Sequence, residues 1–116
     1  MSDEARRDRM ARNEALFRDL NDRVSAVVTD LDPNSVAETG APHEYLCECS
    51  NSDCIAQVSL TAEEFQRVRS SPIQFAVLPG HETNEIETVV ERADRYLIVQ
   101  KDAGERAIAV ATDPRA

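Results

Sequence analysis

The segment Cys47-Glu48-Cys49-Ser50-Asn51-Ser52-Asp53-Cys54 constrains this chain more than any other, because its residue types and spacing ask for specific chemistry. Cys47 and Cys49 stand two residues apart, so in an extended segment both sulfurs project from one face. Four short polar residues then let the backbone turn and return Cys54 to them. Three converging thiolates make up most of a structural zinc site, which takes four nitrogen or sulfur ligands. The missing ligand is expected to be a histidine, and there are two, His43 and His81. His43 gives a compact site from one segment, whereas His81 ties the cysteine loop to a distant strand end. His81 is the preferred reading, and His43 stays open as the alternative. Glu48 lies between two same-face cysteines, so in an extended strand it points away from the metal.

The polar loop argues against three cysteines acting as small buried hydrophobes. Thiolates with one imidazole suit Zn2+, whereas an iron–sulfur cluster more usually takes a fourth cysteine. Three thiolates and an imidazole close the coordination shell and leave no place for water, so a metal-dependent hydrolase is disfavoured and no enzyme activity is expected. The many carboxylates read as a solvated surface. A livelier alternative is a redox-sensitive zinc switch, since bound thiolates oxidise and Cys54 can pair with Cys47 or Cys49.

A metal cross-link matters because the core is small: 116 residues, 41% hydrophobic, with no Trp. The formal net charge is −9, and Lys101 is the only lysine among 13 bases. Residues 1–30 hold seven of the 22 acids and six of the bases, which leaves the C-terminal body as the acidic part. Such a body repels a phosphate backbone, so no nucleic acid is expected, and it attracts a basic protein face. Neither a membrane span nor a secretion signal is evident, and an odd cysteine count speaks against a disulfide framework. A cytoplasmic protein is the simplest expectation.

Residues 2 to about 29 read as one helix, capped by Ser2, with Asp3 and Glu4 in its first turn. Acid precedes base by four in Asp3/Arg7, Asp8/Arg12, Glu14/Arg18 and Asp19/Arg23. Met10, Phe17, Leu20, Val24, Val27 and Leu31 form an apolar stripe interrupted at Asn13. The stripe is expected to pack on the chain's own sheet, on a second copy in a homodimer, or on another protein. The organisation that follows is an N-terminal helix over 1–31, a linker over 32–43 and a zinc-binding body over 44–116.

Within that body, Glu44–Cys49 and Ile55–Leu60 read as the two arms of a hairpin that the cysteine loop caps. Thr61-Ala62-Glu63-Glu64 is a capping box, with Leu60 against Phe65 as its hydrophobic staple. That helix is expected to end near Ser70-Ser71-Pro72. Ile73–Leu78 is a strand stopped by Pro79-Gly80, with His81 directly after. Ile86–Glu91 and Tyr96–Gln100 flank Arg92–Arg95 as a second hairpin, although residues 82–92 also fit a helix face. Ala107–Ala111 is a short helix or strand.

Tyr45-Leu46-Cys47-Glu48-Cys49 with Cys54, Leu60-Thr61 opening a helix with Phe65 and Val68-Arg69, Val77-Leu78-Pro79-Gly80-His81-Glu82 and Val89-Val90-Glu91-Arg92 together resemble a group of small bacterial proteins common in high-GC genomes. The likeness extends from about residue 12, with Arg12 to Phe17-Arg18 in the first helix, to about residue 101. Pro-Gly-His belongs to that group's motif, so the resemblance implies His81 as the fourth ligand; it implies no particular activity. A lesser likeness is to the SWIM-type zinc finger, which also begins Cys-x-Cys but closes Cys-x-His, where this chain has Cys54-Ile55-Ala56. The expected architecture is α+β: a long N-terminal helix, a small mainly antiparallel sheet, one crossing helix and a structural zinc site of Cys47, Cys49, Cys54 and His81. Its expected role is non-enzymatic, a regulatory or protein-interaction module that meets a partner through the first helix and the acidic body.

Overall fold

Alternation of inward and outward side chains assigns the strands. Val58 and Leu60 point inward from β2 (Gln57–Leu60), and Tyr45 does so from β1 (His43–Leu46). The computed structural model describes residues 3–31 and 42–114, with the side chains of the first helix described as far as Val27. The remaining elements are α1 (Asp3–Leu31), α2 (Ala62–Arg69), β3 (Gln74–Val77), β4 (Glu87–Arg92), β5 (Leu97–Lys101) and α3 (Arg106–Ala111). This is an α+β fold with a long N-terminal helix and small antiparallel sheets. The expected Ser2 cap, the Leu31 side chain and the linker up to residue 41 lie outside the described residues; His43 opens β1.

β1 and β2 form an antiparallel hairpin in which His43 pairs with Leu60 and Leu46 with Gln57. A second antiparallel sheet runs in the order β3-β5-β4, with a bulge at Val90 between Val89 and Glu91. Its central strand, β5, is buried on both faces. Tyr96 and Ile98 join a core of Tyr45, Val58, Leu60, Phe65 and Val68, while Leu97 and Val99 join Cys47, Cys49, Phe75 and Val77. Tyr45 and Phe65 stack at 4.4 Å between ring centroids.

The two sheets meet through Glu48. β1 is shorter than expected because, after the Cys47 amide donates to the Ala56 carbonyl at 3.1 Å, the chain turns to β3: the Glu48 amide donates to the Ala76 carbonyl at 2.9 Å, and the Ala76 amide donates to the Glu48 carboxylate at 3.0 Å. The free edge of β3 is thereby covered. α2 carries the expected capping box, Glu64 N–H to Thr61 Oγ1 at 3.1 Å and Thr61 N–H to Glu64 Oε1 at 2.8 Å. Residues 82–92 turn and then extend as β4, so the helical alternative for them does not hold, and the tail resolves as α3.

α1 departs from expectation in which face it buries. Its deepest positions are Ala11, Glu14, Ala15, Arg18, Asn21 and Ser25, a small and polar face roughly a third of a turn round from the apolar stripe. Phe17 is buried and Val24 packs against the core edge, yet Val27 stays 55% exposed. Of the expected i,i+4 ion pairs, Asp8–Arg12 and Asp19–Arg23 form, whereas Arg6 takes Asp3. Glu14 instead meets Lys101, and Arg18 donates to the carbonyls of Pro72 at 2.6 Å and Ala109 at 2.7 Å beneath the Phe75 ring. Arg69 on α2 grips Asp22 of α1 through two nitrogens and reaches Asp113 at 2.6 Å. The carboxylates are therefore not all solvated surface: Glu14, Glu48 and Glu87 are fully buried.

Candidate metal centre

Two turns assemble the site. Asn51 Oδ1 accepts from the Asp53 amide at 3.0 Å, and the Asn51 carbonyl accepts from the Cys54 amide at 3.0 Å, which folds Cys54 back toward Cys47 and Cys49. On the far strand, the His81 amide donates to the Leu78 carbonyl at 2.9 Å around Pro79 and Gly80, whose φ of 92° is the left-handed value a type II turn requires at its third residue. A side chain at position 80 would be strained there, so glycine fixes the direction in which His81 leaves β3.

Cys47, Cys49, Cys54 and His81 offer one ligand atom each, and these atoms all lie within 4.8 Å of one another. His81 Nδ1 stands 3.5 Å from Cys47 Sγ and 3.7 Å from Cys54 Sγ. A tetrahedral shell with Zn–S of about 2.3 Å and Zn–N of about 2.05 Å has S···N edges of about 3.6 Å. The group can therefore hold a metal ion. His43 is kept apart by register: it sits at the Leu60 end of the hairpin, the length of β1 from the cysteine loop.

The surroundings act in opposite directions on the two buried sulfurs. The Leu78 amide donates to Cys47 Sγ at 3.4 Å. The hydrogen bond to Cys49 and then burial push the Cys47 thiol far above its ordinary range. The same bond holds Cys49 below its range against burial, helped by the Asn51 backbone, His81 and Cys54. A cation held by thiolates must displace the protons of the sulfurs that bind it.

Residues that the sequence reading missed support the loop from behind. Asn13, the break in the stripe, donates to the Ser50 carbonyl at 2.9 Å, and Ser50 Oγ meets Thr83 Oγ1 at 2.7 Å just beyond His81. Asn21 pairs with Leu46 in both directions, at 2.8 and 2.9 Å, and donates to Glu48 at 2.8 Å. Glu48 points away from the sulfurs, as its place between two same-face cysteines predicts, but into protein. Burial raises its pKa to about 7 against the opposing pull of Asn21, the Ala76 amide, Arg69 and Arg18. The one sequence signal for these partners was polar side chains at helical spacing. Comparison with protein families, curated proteins and solved structures found no match.

Proposed function

We propose that this chain is a non-enzymatic, zinc-binding regulatory or protein-interaction module in which Cys47, Cys49, Cys54 and His81 hold a structural Zn2+. The observation that carries the reading is the agreement between the 3.5 and 3.7 Å sulfur–nitrogen separations and the edge of a tetrahedral zinc shell. Four protein ligands fill that shell, which leaves no place for the bound water that metal-assisted hydrolysis needs. Membership of the bacterial group marked by Cys-x-Cys-x4-Cys and Pro-Gly-His is part of the same proposal.

Elemental mass spectrometry on wild type, His81→Ala and His43→Ala tests the metal. One zinc per chain is expected in wild type and His43→Ala, with loss or marked weakening in His81→Ala. No zinc in wild type purified without chelator overturns it.

The interaction half rests on the outward side of α1. Leu16 is 56% and Val27 55% exposed, and Leu20, Val24 and Val27 line an open apolar groove with Leu46. The exposed apolar side chains and the open groove support another protein, a second copy included, as the partner of this face. A Leu16→Asp/Val27→Asp double variant should keep its fold and zinc but lose association on sedimentation. Association that survives both substitutions counts against the proposal.

A further inference from the structure

The three sulfurs share one site but differ in access. Cys47 and Cys49 are 1% and 2% exposed, whereas Cys54 is only half-buried. Around Cys54 the loop is open: Asn51, Ser52 and Asp53 are exposed, and Ile55 is 92% exposed. A reagent from solvent therefore meets Cys54 first. Cys49 Sγ lies within 4.8 Å of it and makes a long, 4.0 Å contact to the Asn51 carbonyl. Cys47 is committed elsewhere, to the Leu78 amide at 3.4 Å and to His81 Nδ1 at 3.5 Å.

From this geometry we infer that Cys54 is a site of oxidation by hydroperoxides and Cys49 its resolving partner, which makes the metal centre a reversible thiol switch. This rests on the zinc reading above. In the first step the Cys54 sulfur attacks one peroxide oxygen. An S–O bond forms, the O–O bond breaks, and the displaced oxygen leaves as alcohol or water after taking a proton. Cys54 becomes a sulfenic acid, oxidised by two electrons, and the peroxide is reduced by two. In the second step the Cys49 thiolate attacks the Cys54 sulfur; an S–S bond forms, the S–O bond breaks, and hydroxide leaves as water after protonation. The sulfurs start within 4.8 Å, so the approach is short. Two of four donors are then lost, and Cys47 with His81 is too small a set to retain the ion.

The test uses the zinc-loaded full chain and an equimolar amount of hydrogen peroxide, with a chromogenic chelator to read released zinc. Free thiols are then trapped with N-ethylmaleimide and the disulfide is mapped by mass spectrometry. Expected are zinc release in step with a Cys49–Cys54 disulfide, maleimide on Cys47 alone, and recovery of zinc binding after a thiol reductant. Without oxidant, limiting N-ethylmaleimide should modify Cys54 on the order of tenfold faster than Cys47. Zinc retained under peroxide, a disulfide through Cys47, or preferential alkylation of Cys47 overturns the inference. Metal content before oxidant separates the two failures: a chain without zinc sinks the metal reading, while its disulfide map still scores Cys54 and Cys49.

Discussion

Lys101 lies wholly buried between the carboxylates of Glu14 and Glu87, 5.0 Å from the centre of the Phe75 ring. Burial pulls its pKa down to about 7 and, acting first on Glu87, pushes that carboxyl up to about 7. Each partner is tolerable only because the other is present. Lys101→Met leaves two buried carboxylates facing each other, and urea unfolding followed by far-UV circular dichroism should show a loss of about 3–5 kcal/mol at pH 8. The loss should shrink on acidification. A carboxyl with a raised folded pKa holds more protons folded than unfolded between about 4.5 and 7, so its penalty disappears as pH falls through that window. Part of this was legible, since Lys101 continues the Leu97–Val99 alternation into the interior. Its carboxylate partners were not, because Glu14 is remote in sequence.

At the scale of elements, structure set by neighbouring residues is legible in the sequence, and structure set by tertiary contacts is not. The α2 cap followed from Thr61 and Glu64 because both bonds lie within one turn. Glu64 does more than cap: it accepts from the Tyr96 hydroxyl at 2.8 Å and from Arg95 at 3.0 Å. Burial alone would raise its pKa, but the Thr61 amide, Tyr96 and Arg95 outweigh burial and hold it below 4.5. The unfolded chain therefore binds this proton more tightly, and the stability Glu64 contributes is present above about 4.5 and lost as pH falls through the folded value. Glu64→Gln should flatten that acid limb in thermal melts, and an unchanged limb would dismiss the assignment. α1 misled because its docking face is alanine, serine and long polar side chains. Hydrophobic spacing picks out the opposite kind of face, and only the carbonyls, carboxylates and amides of the body reveal where Arg18 and Asn21 belong.

Across the whole molecule, the grouping of Cys47, Cys49 and Cys54 with His81 is the most legible feature, because the cysteine spacing and the Pro-Gly turn encode geometry locally. Less legible was its place at a junction. Cys47 and Cys49 belong to the second core, Glu48 joins the hairpin to β3, and α1 closes over the back of both. The same construction decides how the folded chain meets amine chemistry. Its single lysine has no exposed side-chain surface, so acylating reagents and enzymes that conjugate to lysine ε-amines find no target along the folded body. An ε-amine label on this protein therefore records that the interior has opened, and the rate at which it is acquired times that opening.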